Sequence, residues 1–315
     1  MGKDHILRSV AKRALPKRMV NKIIALRHLI RQKLHAYVPF DNMYPWLNYA
    51  FLQVMRDPDC ATRPQYVWGV VQGTALAKVL GISRISVIEF GVAGGSGLIA
   101  LECIAQAVSK LTGIDIDVCG FDTGTGLPPP ADVRDQPNMW YGGQLPMDKQ
   151  KLLSRLNRAK LYLGPVKNTL KTFINEDPAP VAFASFDMDL YTSTRDSFEV
   201  FDADYKHLLP RVISYFDDIF GHTYNDFCGE RLAISEFNSR NGSKKMCPVY
   251  GLRYFIPRTQ FNALWPDGMY YTHIFDHKFY NSLDSINKPV LAEIDGTVVT
   301  KRPPPSSAPA SAPRS

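Results

Sequence analysis

Six carboxylates and one imidazole stand where apolar runs of this chain give way to polar ones: Glu89, Asp122, Asp187, Asp189, Asp217, Asp218 and His222. A carboxylate at the end of a buried run is costly unless something receives it. Four such run ends in one chain suggest a ligand. Glu89 and Asp122 suit a cofactor: the first precedes a glycine-rich turn, and the second is placed to hydrogen-bond the vicinal hydroxyls of a ribose. The pairs Asp187/Asp189 and Asp217/Asp218 could converge on one cation. Oxygen donors, with His222 the one nitrogen ligand close by, favour Mg²⁺ or a similar hard ion over zinc. A plainer alternative stays open, in which these acids cap helices or pair with Arg195, Arg211 or Arg231.

The elements that must carry these acids can be read from the runs themselves. Ile85–Ile88 is β-branched and too short for a helix, so it is predicted as a buried strand. Gly91, Gly94, Gly95 and Gly97 follow, and glycine permits positive φ and close backbone approach. Leu98, Leu101, Ile104, Ala105 and Val108 then recur at helical spacing. Ahead of this unit, Val70–Leu80 is predicted as a helix closed by Gly81. Further strands are expected at Asp117–Asp122, Lys160–Gly164, Val181–Phe186, Val212–Phe216, Leu252–Ile256 and Tyr270–Phe275. Helices are expected at Lys149–Ala159, Val166–Ile174 and Ser197–Leu209, the last stopped by Pro210. The stretch from Thr123 to about Met147 reads as a long loop containing Trp140 and Tyr141, an active-site cover. The alternation predicts an α/β fold: an open, mostly parallel seven-stranded sheet with helices on both faces.

Charge separates the ends from the middle. Residues 1–35 hold ten Lys and Arg against one acid, leaving 27 basic and 29 acidic side chains in the remainder of a chain of net charge +7. The body is thus near neutral, which argues against a nucleic-acid partner. Residues 5–15 and 19–37 read as basic amphipathic helices, suited to packing on the domain or a second subunit, or to a peripheral membrane contact through residues 1–37. Five scattered cysteines without a C-x-x-C pair argue against a disulfide framework and for a reducing, cytoplasmic compartment, peripheral at the inner membrane surface if those helices bind lipid. The expected division is a helical extension and lid over 1–60, a ligand-binding domain over 61–300 and a disordered Pro/Ser/Ala tail over 301–315.

The spacing Glu89-x-Gly91-x-x-x-Gly95 resembles the first motif of class I S-adenosylmethionine (AdoMet) methyltransferases rather than a dinucleotide fingerprint, since Ala93 stands where the second glycine should be. Gly120-Phe121-Asp122-Thr123 with Gly126-Leu127-Pro128, Asp187-Met188-Asp189-Leu190-Tyr191-x-Ser193-Thr194 and Asp217-Asp218 together resemble the macrocin O-methyltransferase family over roughly residues 65–260. Cys228-Gly229-Glu230-Arg231 through Glu236-Phe237 resembles that family's following helix. Gly124 and Thr125 stand where the family usually has an aromatic and an acid, Thr192 where it has an acid, and Leu209-Pro210-Arg211 where a glycine pair is common.

The resemblance implies a Rossmann-like methyltransferase fold and an AdoMet-dependent, divalent-metal-dependent O-methyltransferase acting on a hydroxyl of a sugar, glycan or related metabolite. Glu89, Gly91, Gly95, Asp122 and Asp187 would hold AdoMet. Asp187, Asp217 and Asp218 would hold Mg²⁺. Asp189 would be a further ligand or would take the proton from the acceptor hydroxyl, with His222 the second choice for that proton. Tyr191 and Trp140 are expected substrate contacts. The alternative reading is a non-catalytic AdoMet-binding or membrane-surface adaptor protein on the same fold.

Overall fold

The computed structural model describes residues 45–221, 224–260 and 262–281, and two short strands further on. The basic helices expected at 5–15 and 19–37, His222 and the 301–315 tail lie outside the described residues. Residues 283–315 form a unit of their own, described only as an antiparallel pair, Glu293–Ile294 with Thr297–Val298. Among the described residues, no helix is long and apolar enough to cross a membrane.

The main unit opens with α1 (Pro45–Val54), a single turn at Pro58–Ala61, and α2 (Pro64–Val79). It then alternates β1 (Arg84–Phe90), α3 (Ser96–Thr112), β2 (Asp115–Asp122), β3 (Lys160–Leu163), α4 (Val166–Asn175), β4 (Val181–Phe186), α5 (Tyr191–Ser197), β5 (Leu208–Phe216), α6 (Gly229–Arg240), β6 (Lys244–Pro248) and β7 (Met269–Ile274). The seven strands form one sheet of order β3-β2-β1-β4-β5-β7-β6. Only the pairings of β7, with β5 and with β6, are antiparallel. This is the open, mostly parallel Rossmann-like sheet that the alternation of runs predicts.

Strands buried on both faces read as continuous apolar runs, and β1 and β4 are buried along nearly their whole length. On one face lie α2 and α3. Gly69 and Gly73 let α2 press onto β4, where a Cβ at Gly69 would fall 2.3 Å from the Phe183 ring. On the other face lie α4, α5 and α6, packed on an aromatic ladder. Tyr162, Phe121, Phe90, Phe186 and Phe216 come from five adjacent strands in register. Their ring centroids are 4.8, 5.0, 5.2 and 4.9 Å apart in that order. Such cross-strand pairs stabilise a sheet beyond their area burial.

Three expected elements differ. The helix expected over Lys149–Ala159 ends at Leu153. Beyond it, Glu102 accepts the backbone N–H groups of Asn157, Arg158 and Ala159, so those amides are unavailable to a helix. The helix expected over Ser197–Leu209 lies earlier, as α5, followed by 3₁₀ turns at Phe198–Asp202 and Tyr205–His207. Asp204 caps the second turn through the Lys206 N–H, and β5 already begins at Leu208. Pro210 therefore lies within a strand, where a register shift against β4 accommodates it. Leu252–Tyr254 is a 3₁₀ turn after Gly251 at φ 72°, and the edge strand is Lys244–Pro248.

Candidate active site

In an open α/β sheet, ligands bind beyond the carboxyl ends of the strands. The aromatic ladder sets those ends level. Phe121, Phe186 and Phe216 are each the last apolar residue before an acid, so Asp187 and Asp217 leave the sheet on neighbouring strands and Asp122 leaves it two strands from Asp187, across β1. Phe90 holds the same position before Gly91. This Phe-then-Asp/Gly repeat is visible in the sequence, and it is the signal that would have predicted the alignment.

A cavity of about 480 Å³ opens above these ends, within the range of small-ligand sites. Glu89, Gly91, Asp122, Asp187 and Asp189 all line it. Gly91, at φ 85°, passes so close to the neighbouring strand end that a Cβ would fall 1.7 Å from the Asp187 carbonyl oxygen. Gly97 is equally constrained, its Cβ position being 1.8 Å from Glu89 Oε1. Gly95, expected to contact the cofactor, lies beneath Leu152, and Gly94 and Gly97 line the cavity instead.

Glu89 sits at the cavity floor, 2 % exposed. Tyr66 donates its hydroxyl to Glu89 Oε1 at 2.7 Å, and Ser185 donates to the Tyr66 oxygen at 3.0 Å. Glu89 Oε2 is buried with no protein partner. Burial pushes this carboxyl up to about 8, against the opposing pull of the Tyr66 hydroxyl and Arg63. Asp122 ties the glycine turn together. Its Oδ2 accepts the N–H groups of Val92 and Ala93, both at 2.9 Å, and its Oδ1 accepts Gly124 N–H at 2.6 Å.

Beside the cavity, one carboxylate oxygen from each of Asp187, Asp217 and Asp218 lies within 4.8 Å of the others. Arg195 and Arg231, two of the cations offered as partners for these acids, pair instead with Asp196 and Asp226. Burial, then Asp218 and Asp217, push Asp187 up to about 9. Burial and the same two acids raise Asp189 to about 8. Asp189 adopts a left-handed backbone at φ 61° and donates its N–H to Asp218 Oδ2 at 2.9 Å. Strain of this kind persists where the surroundings impose it, and it clusters at functional sites. Tyr215 donates to Asp217 at 2.7 Å and Tyr224 to Asp218 at 3.0 Å.

Sequence reasoning missed Glu230, which is wholly buried at the start of α6. Its Oε2 accepts Asp218 N–H at 3.0 Å, and its Oε1 has no protein partner. Burial raises this carboxyl well above its ordinary range. Several mutually repelling carboxylates and two unpartnered buried oxygens, Glu89 Oε2 and Glu230 Oε1, match a site that receives positive charge. The donors are all oxygen, as a hard divalent cation requires.

The long loop over 123–147 is built as expected from mostly irregular chain, and Thr123, Gly126, Leu127 and Leu145 bring it to the cavity. Its anchor was not foreseen. Asp135, fully buried, accepts Thr192 N–H at 2.8 Å, Thr192 Oγ1–H at 3.0 Å and Ala131 N–H at 2.8 Å. Tyr191, expected to touch substrate, is 1 % exposed and donates to Glu236 at 2.6 Å, with Arg134 over its ring. Neither Tyr191 nor Trp140 lines the cavity.

No family model matches the chain, and no curated protein matches it. Its fold is similar to solved structures at low identity. The calicheamicin methyltransferase CalS11 is 19% identical, covering 76% of this chain and 96% of that one at a TM-score of 0.45. An apo structure of CalS11, described as a TDP-rhamnose 3'-O-methyltransferase, is 19% identical over 65% and 78% of the two chains at a TM-score of 0.38. An O-methyltransferase from Bacillus cereus with bound SAH is 15% identical over 63% and 82%, at a TM-score of 0.32.

Proposed function

We infer that this chain is an AdoMet-dependent O-methyltransferase that also uses a divalent cation, Mg²⁺ or similar, and that its acceptor is a hydroxyl of a sugar, glycan or related metabolite. One observation carries the reading: Asp187 belongs both to the wall of the glycine-lined cavity and to the three-aspartate cluster, so two ligand sites meet at one residue.

When bound, AdoMet would supply an electrophilic methyl group and the cation would lower the acceptor's pKa. The chain's own residues supply the rest. Glu89, with its free Oε2, suits the cationic end of the cofactor. Asp122 keeps Val92 and Ala93 turned beneath the cavity, holding the glycine turn in one shape for its ligand. Asp187, Asp217 and Asp218 are the residues to hold the cation, and Glu230 fixes Asp218 through its backbone N–H. Asp189 faces the cavity and, once ionised, above about pH 8 or beside a bound cation, is the group to take the acceptor's proton. Positioning of the two reactants supplies much of the rate.

The test is calorimetric titration of AdoMet into the purified protein, first with Mg²⁺ and then with excess chelator. Micromolar binding that survives the chelator supports a cofactor cavity separate from the cation site. Absence of binding in both conditions overturns the reading.

A further inference from the structure

Outside the site, two thiols face each other across a helix seam. Cys60, in the turn Pro58–Ala61, is wholly buried, and its Sγ lies 2.8 Å from Sγ of the half-buried Cys103 on α3. Asp57 approaches the same pair and could complete a three-ligand group. The spacing argues against a shared ion, because two sulfurs on one tetrahedral zinc at about 2.3 Å each stand roughly 3.7 Å apart. A covalent bond of about 2.05 Å needs less adjustment from the observed separation.

The seam leads to the cavity. Ser96 and Cys103 lie seven residues apart, on one face of α3. Arg63, which follows the Cys60 turn, donates from Nη2 to Ser96 Oγ at 3.2 Å, and Arg63 and Ser96 both line the cavity. One face of α3 thus meets the 57–63 segment twice, once through sulfur and once at the cavity wall.

We propose that Cys60 and Cys103 are a reversible disulfide pair whose oxidation locks the 57–63 segment to α3 at the wall of the cavity. The oxidant is a small disulfide such as oxidised glutathione. The Cys103 thiolate, the more accessible, attacks one glutathione sulfur and releases the first glutathione thiolate. The Cys60 thiolate then attacks the Cys103 sulfur, closes the S–S bond and releases the second. The protein gives up two electrons, and its two thiol protons end on two reduced glutathione molecules. Burial pushes both thiols upward, so the exchange is slow and quickens with rising pH.

The full chain is incubated with excess oxidised glutathione, alkylated, digested and mapped by mass spectrometry, with hydrogen exchange recorded in parallel. The expected result is a Cys60–Cys103 linked peptide that dithiothreitol reverses, with exchange of the amides over 57–63 slowed several-fold. Cys103→Ala, at the half-buried position, abolishes both effects, and it serves if Cys60→Ala does not fold. A stable glutathione adduct left on Cys103, or both thiols still alkylatable, overturns the proposal.

Discussion

Phe186 stacks on Phe216 at 4.9 Å and 12°, and each is followed by an aspartate that joins the carboxylate cluster. The packing of the sheet and the geometry of the site are therefore one arrangement. Phe186→Ala is expected to cost about 3–5 kcal/mol by leaving a cavity in the ladder. Phe186→Leu keeps most of the volume and should cost less, yet still weaken divalent-cation binding by releasing Asp187 from its level. Denaturant unfolding and cation titration of both variants check this. Unchanged cation affinity in a folded Phe186→Leu protein would show that the ladder does not position the acids.

The cluster makes stability depend on pH in a defined direction. Glu89, Asp187 and Asp189 hold their protons up to about 8, 9 and 8 in the folded chain. In the unfolded chain they ionise near 4. The folded state then binds more protons across that window, so stability falls as pH rises from about 4 to about 9. Without divalent cation, the melting temperature should be lower at about pH 9 than at about pH 5, and Mg²⁺ should raise it more at the higher pH. A melting temperature that rises with pH in chelator would contradict this.

Asp217 is exposed, so the fold should tolerate Asp217→Ala. The variant should lose the Mg²⁺-induced rise in melting temperature, and methyl transfer with it, while AdoMet affinity stays within about twofold. Equal methyl transfer by the parent chain with and without chelator would remove the cation from the proposed function.

Gly91→Ala places a Cβ on the Asp187 carbonyl and forces a left-handed backbone on alanine. The expected loss is about 3 kcal/mol or more, with the cavity deformed. Gly81→Ala is the control. Gly81 has a comparable φ of 73° but nothing within 4 Å of the added Cβ, so it should cost only about 1 kcal/mol. Equal losses at the two glycines would mean that backbone strain, and not the approach to Asp187, sets the cost.

Asp135→Ala leaves the Thr192 N–H, the Thr192 hydroxyl and the Ala131 N–H without their acceptor. Each lost partner costs about 1–3 kcal/mol if it stays buried. Limited proteolysis should cut first within 123–147, and faster than in the parent chain. A cleavage pattern unchanged from the parent would show that the loop is held by other contacts.

Much of the sheet was legible because buried parallel strands advertise themselves as apolar runs, and β1, β2, β4 and β7 fall close to where those runs lie. The edge strand β6 was hidden, since Lys244 and Lys245 mask a strand with one fully buried residue, Met246. Helix ends were hidden wherever a distant carboxylate captures backbone amides. Glu102 does so to residues 157–159, and no local pattern could announce it. The acids at the strand ends were found because charge after an apolar run is conspicuous. Glu230 and Asp135 were missed because each sits in a polar stretch whose burial only the fold creates.

The chain order of the sheet also bears on synthesis. β5, which delivers Asp217 and Asp218, pairs on one side with β4 and on the other with β7, which lies more than fifty residues later. A chain emerging from the ribosome therefore exposes one edge of β5 until Met269–Ile274 has been made. Open edges of this kind recruit other strands. Arg211, a charge inside the stretch Arg211–Tyr215 that β7 later pairs, makes that edge a poorer match for an apolar strand during the interval.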